Sequence, residues 1–141
     1  MTDNLQRLAE MARGIASPEA VAEDDFGFSL DLDDVTLNFF APSGDSYCVY
    51  CRAKVGEFGE QECPDDFAES ALKGNFFWRA TDGASLALNT EENAVYLTDR
   101  FDDGAFEDED AFRDYINDFL RMLFDWQESL NASIAGKEAA K

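Results

Sequence analysis

Histidine is absent from all 141 residues. The side chain that most often shuttles protons near neutral pH, and most often ligates metals, is therefore missing. No Ser-His-Asp or Cys-His unit can be assembled, and no Gly-rich phosphate loop takes its place. Basic residues are scarce too: 11 Lys and Arg stand against 31 Asp and Glu, for a formal charge of −20. Nucleic acid and anionic membrane surfaces both call for a basic patch, so neither is an expected partner. No apolar run is long enough to span a bilayer. Cysteine is limited to Cys48, Cys51 and Cys63. An odd number, without a recognisable secretory leader, points to a reducing cytoplasm. Cys48 and Cys51 form a C-x-x-C string inside a strand pattern, where residues three apart face opposite sides. Both sulfurs could not then grip one zinc or close a redox disulfide, and only Cys63 remains as a further ligand. Carboxylates are so many that no catalytic pair stands out. No catalytic residue, metal or cofactor is assigned, and the chain is not read as an enzyme.

What the sequence has in quantity is apolar and aromatic. Hydrophobic residues make up 45%, and there are thirteen Phe. A chain of this length and content folds around a core without disulfide or metal. One domain is expected over residues 1–130, followed by a disordered tail over 131–141, where no apolar pattern is sustained. The acidity keeps an otherwise sticky protein soluble.

Apolar residues at Leu5, Leu8, Ala12 and Ile15 mark one face of a helix from Thr2 to Ile15, capped by Thr2 or Asp3 and ended near Gly14 and Pro18. "SPEAVAEDD" reads as a polar linker. Phe26, Phe28, Leu30 and Leu32 alternate with polar residues, as do Val35, Leu37 and Phe39 after an Asp33-Asp34 turn. "APSG", Ala41 to Gly44, suits a three-residue hairpin loop. That loop would pair Phe39 with Tyr47, Leu37 with Val49 and Val35 with Cys51, and would leave Phe40, Cys48 and Tyr50 on the outer face beside Thr36 and Asn38.

A second helix follows Pro64, with Asp65 and Asp66 at the positive end of its dipole. Phe67, Ala71, Gly74 and Trp78 form one apolar stripe, and Ala68, Leu72 and Phe76 form another. One sheet covers only one of them, so Phe67, Ala71, Leu72, Phe76 and Trp78 are the candidate homodimer interface. "ASLAL" and "AVYLT" are a strand pair around the turn Asn89 to Asn93. A last helix spans Asp108 to Leu130, with Phe112, Ile116, Phe119, Leu123, Trp126 and Leu130 on one stripe, widened by Leu120 and Phe124.

"DRFDDGAFEDED", Asp99 to Asp110, imitates a calcium loop with Asp at its first and fifth positions and Gly104 at its sixth. It lacks an oxygen ligand at the third position, where Phe101 stands, and the bidentate Glu at the twelfth. The reading that fits better has Asp108 capping the last helix, with Phe101 and Phe106 anchoring the loop to the core.

The fold expected is α+β, an antiparallel twisted sheet of about five strands with three helices in the order α-β-β-β-α-β-β-α. That order, together with "NFFWRATDGASLALNTEENAVYLTDRF", the acidic loop and "AFRDYINDFLRMLFDWQESL", resembles the class I chaperones of bacterial type III secretion, the Tir-chaperone family. The resemblance implies a cytoplasmic homodimer without cofactor that holds the N-terminal region of a secreted effector protein in extended form over apolar patches. Phe40, Cys48, Tyr50, Thr36 and Asn38 are the candidate effector-binding residues. Two rivals are a fold-related bacterial domain of the YbjN type and an acidic DNA-mimic inhibitor. The outer aromatics Phe40 and Tyr50 favour the chaperone over the mimic.

Overall fold

The computed structural model describes residues 2–41, 48–59, 62–76 and 83–139. In chain order the elements are α1 (Asp3–Ile15), β1 (Val21–Glu23), β2 (Gly27–Leu32), β3 (Val35–Phe40), β4 (Cys48–Glu57), α2 (Asp65–Asn75), β5 (Ser85–Asn89), β6 (Ala94–Asp102) and α3 (Glu109–Ala139). The strands form one sheet in the order β1-β2-β3-β4-β6-β5, with the described pairings all antiparallel. Among the described residues the architecture is thus α+β with three α-helices and six strands, close to the five or so expected. The additional strand, β1, lies in what reads as a polar linker. A turn of 3₁₀-helix at Pro18–Ala20 redirects the chain, and Val21 then pairs with Leu30. Only three residues long and ending in Glu23, β1 makes a short, charged sheet edge.

The chain gathers into two compact units, Met1–Ala53 with Asp99–Phe119, and Lys54–Thr98 with Leu120–Lys141. In the first, α1 starts where the Thr2 hydroxyl accepts from the Leu5 amide at 3.2 Å. Leu5, Leu8, Ala9 and Ala12 are buried, as the helical spacing requires. Arg7 donates to the Phe106 carbonyl at 2.8 Å and so ties α1 to the approach to α3. The centre of this unit is aromatic. Phe39 is stacked on Phe28 at 4.9 Å between ring centroids and meets Phe112 edge-on at 5.4 Å. Such contacts each contribute about 0.5–1.5 kcal/mol beyond area burial.

The hairpin of β2 and β3 turns at Asp33, whose φ of 53° lies in the left-handed region that Asp tolerates better than most residues. The next register differs from expectation. Phe39 pairs with Cys51 and Phe40 with Tyr50, not Phe39 with Tyr47. The slide is by four residues, an even number, so every side chain keeps its face. Val49, Cys51, Ala53 and Val55 are all buried, and so continuous an apolar alternation fits several registers equally well. Residues 42–47, which carry most of the expected tight turn, lie outside the described residues.

In the second unit, Phe67 of α2 meets Trp126 of α3 edge-on at 5.9 Å. Leu123 and Leu130 are buried with them, whereas Phe124, expected to widen the stripe, is 49% exposed. The tail is a second correction. Residues 131–139 do not fray: α3 continues to Ala139. Ser133 donates to Asp66 at 3.3 Å and Lys137 to the Glu62 carbonyl at 3.2 Å, so polar contacts hold a stretch in which no apolar stripe is legible. Asn93, with φ 53°, closes the β5–β6 turn, and its side chain donates to the Gly59 carbonyl at 2.7 Å.

Two weak acids, buried Cys51 and half-buried Tyr115, give the first unit a pH limit. Burial pushes the Cys51 thiol well above its ordinary value of 9.0, helped by the Asp99 charge. Burial likewise raises the Tyr115 hydroxyl above 10.0, and Cys51 and the hydrogen bond to Asp99 at 2.7 Å add to it. Both groups are neutral in the fold and ionise more easily in the unfolded chain. Their stabilisation is fully present below about pH 9 and falls as pH rises toward the folded values, by about 1.4 kcal/mol per pH unit for each group. Thermal melting from about pH 8 to about pH 11 should show Tm dropping steeply above about pH 9. Cys51→Ala and Tyr115→Phe should each flatten that drop, and a wild-type Tm that is level across the range would refute the assignment.

Candidate functional site

The loop that imitates a calcium site is occupied by other tasks. Asp99 and Phe101 both lie in β6. The Asp99 carboxylate accepts from the Tyr115 hydroxyl and from the Arg100 amide at 2.8 Å. Phe101 packs against Phe106 and Tyr115, with ring centroids 5.0 and 5.1 Å away. Asp108 caps α3 by accepting from the Ala111 amide at 2.9 Å. Among the described residues no group of three or more Cys, Asp or Glu side chains is placed to hold a metal.

The first unit has two sheet faces of different character. Val35, Leu37, Phe39, Val49 and Cys51 point to the buried one. Thr36, Asn38, Phe40, Cys48 and Tyr50 share the other, where Thr36 is exposed and the rest are half-buried. The observed register sets Phe40 directly across from Tyr50, and the rings stack at 5.7 Å and 20°. Arg52 lies on the same face with its guanidinium 5.2 Å from the centre of the Phe40 ring, a cation–π distance. Thr36 donates to Asp31 at 2.7 Å across the hairpin. This face therefore runs from an aromatic pair at one end to hydroxyl and carboxylate at the other. Cys48 and Cys51 fall on opposite faces, and both are free thiols.

The second unit carries a different apolar surface. A groove of about 220 Å³ runs between α2 and the β5–β6 pair, lined by Cys63, Ala71, Leu72, Leu86 and Leu88 among others. Leu72 is 73% exposed, Phe76 58% and Leu88 52%. The expected dimer patch divides here. Phe67 is in the core of its own unit at 1% exposure, because Trp126 covers it, so it is not available to a partner. Ala71 is half-buried at the groove, Leu72 and Phe76 are exposed, and Trp78 lies outside the described residues. Leu88 was not singled out by sequence reasoning. Its signal was available: it shares the alternation, and hence the face, of the buried Leu86.

Residues 6–127 match the model of the Tir chaperone protein (CesT) family. No curated protein matches the chain. Among solved structures, the ExsC-ExsE complex contains a chain similar to this one at TM-score 0.70 and 18% identity, covering 89% of this chain and 92% of that one. The HopA1-SchA chaperone-effector complex gives 0.63 and 13%, covering 89% and 95%. The Yersinia pestis type III secretion chaperone SycH, in complex with a stable fragment of YscM2, gives 0.60 and 8%, covering 84% and 98%. At such identities the likeness to these structures is one of fold.

Because Asp99 and Asp108 already serve Tyr115 and the helix cap, calcium should gain no specific hold on this loop. Millimolar calcium, or its removal by chelator, should leave Tm nearly unchanged. A specific ligand at a hundred times its dissociation constant would stabilise by about 2.7 kcal/mol. A rise of several degrees that disappears in Asp99→Asn with Asp103→Asn would overturn this reading.

Proposed function

The chain belongs to the Tir chaperone protein (CesT) family, and on that premise we propose that it is a cytoplasmic type III secretion chaperone. It binds the N-terminal region of a secreted effector and keeps it soluble and competent for export. The observation that carries this reading is the outer face of the first unit, with its half-buried Phe40–Tyr50 stack on a sheet whose other face is core. An extended segment laid along such a face buries apolar side chains on the aromatic pair and needs neither ATP nor a cofactor. Among the described residues no helix is long and apolar enough to cross a membrane.

Assembly is the second part of the proposal. The exposed Leu72, Phe76 and Leu88 around the groove of the second unit suit a second copy of the chain. A stable dimer needs roughly 1,200–2,000 Å² of buried surface. Two copies bring together −20 and −20, or −40. Exposed like charges are screened beyond about 8 Å at physiological salt, whereas apolar burial is not.

Co-purification with N-terminal fragments of the type III substrates of the same cell tests the binding role. Phe40→Ser with Tyr50→Ser should weaken capture, by roughly thirtyfold for each anchor removed, while Tm is largely kept. Capture at wild-type strength by the folded variant would place the partner elsewhere, and capture of no substrate by the wild type would sink the chaperone reading. Light scattering coupled to size exclusion should give a dimer mass at micromolar concentration. Leu72→Asp with Leu88→Asp should shift that mass to the monomer.

A further inference from the structure

Among the described residues strand β5 ends the sheet order, so one side of it is an edge. Antiparallel alternation determines which backbone groups face outward there. Leu86 is opposite Leu97 and Leu88 opposite Val95. The Leu86 amide donates to Asn75 Oδ1 at 2.9 Å, and Asn75 Nδ2 donates to the Leu86 carbonyl at 3.1 Å. Both polar groups of Leu86 therefore point away from β6. Those of Leu88, two residues on, point the same way. A side-chain amide presents one acceptor and one donor, as the peptide of a neighbouring strand would. Asn75, the last residue of α2, thus occupies at Leu86 the position of a seventh strand.

We propose that Asn75 is a specificity residue of assembly: it closes the β5 edge, so that copies of this chain meet through side chains over the α2–β5 groove and not by continuing the sheet from β5 to β5. The occupant it refuses is a second copy of β5. That strand is well suited to self-pairing: it is a five-residue run, Ser-Leu-Ala-Leu-Asn, with Ala87 and Leu88 exposed and no charge of its own to repel a copy. A dimer made through side chains closes on itself. A dimer made by sheet continuation uses up both β5 edges but leaves the exposed groove of each copy open to further copies. The inference rests on the dimer part of the function proposed above, yet its test reads the change on substitution and does not require that reading to hold.

The decisive variant is Asn75→Ala, compared with the wild-type chain by light scattering over a range of concentrations and by amide hydrogen exchange at Leu86. Exchange at Leu86 should rise by about tenfold, the effect of one net hydrogen bond. Species larger than the wild type should appear and grow with concentration. Adding Leu88→Pro, which removes an outward amide, should abolish those species, and adding Leu88→Ala, which trims the side chain but keeps the amide, should not. Faster exchange with an unchanged size distribution would show that Asn75 only anchors the end of α2, and the proposal would fall. Larger species that persist with Leu88→Pro would overturn strand pairing as their cause. If Asn75→Ala does not fold, Asn75→Asp keeps the acceptor for the Leu86 amide and sets a carboxylate against the Leu86 carbonyl, so the same shift in size is expected and its absence is equally decisive. A wild type that runs as a monomer sinks the dimer reading alone, because the shift caused by Asn75→Ala is still measured against it.

Discussion

The apolar stripe of α3 is the contact on which both units depend. Phe112, Ile116 and Phe119 serve the first, and Leu123, Trp126 and Leu130 serve the second, all of them buried. Truncating one such side chain typically costs about 2–5 kcal/mol, against a total stability of roughly 5–15 kcal/mol for a domain. The helix must therefore begin at one place, and the sequence before it is arranged to ensure that. Asp108 caps it, Phe106 packs against Phe112 at 5.1 Å, and Asp99 holds Tyr115. A stretch that resembles a metal loop is explained by the needs of the helix that follows.

Electrostatics plays the smaller part in holding the fold. The ion pairs include Arg13 with Glu10 and Glu23, Lys54 with Glu57, and Arg113 with Asp110, each between side chains at or near the surface. Pairs of that kind contribute between nothing and about 1 kcal/mol. With 31 acidic residues against 11 basic ones, most carboxylates repel one another across water. The compact state is kept by apolar burial, as in the Phe28–Phe39–Phe112 cluster, while the negative surface keeps the exposed apolar patches from indiscriminate association.

These two forces also explain how far the sequence could be read. Periodicity located α3, α1 and the two hairpins, because each buries one face and the burial leaves a period of 3.6 or 2. It failed where the period carries no information. A register slide by an even number of residues changes no face, so Phe39 was matched with Tyr47 when its neighbour is Cys51. Polar contacts leave no period either, so the turns of α3 held by Ser133 and Lys137 read as a loose tail. In α2 both stripes were visible, but their fates were not. Phe67 and Leu72 are alike in a sequence, and only the position of Trp126 puts one at 1% exposure and leaves the other at 73%. On the candidate site, parity sufficed to place Thr36, Asn38, Phe40, Cys48 and Tyr50 on one face. The stacking of Phe40 on Tyr50 needed the register.

An open sheet has two edges, and this one treats them differently. At β1 the edge is cut to three residues, and its last, Glu23, is bound by Arg13 at 2.8 Å. At β5 a side-chain amide fills the position of a missing strand. Both devices discourage main-chain pairing, the least selective way for two proteins to adhere, since every sequence offers the same amides and carbonyls. Apolar side chains are left in place, exposed at Leu72 and Leu88 in one unit and half-buried at Phe40 and Tyr50 in the other. Shape and side-chain identity then decide what adheres, and an acidic surface repels most of the remainder. Discrimination between partners then has to come from side chains, because the backbone provides none.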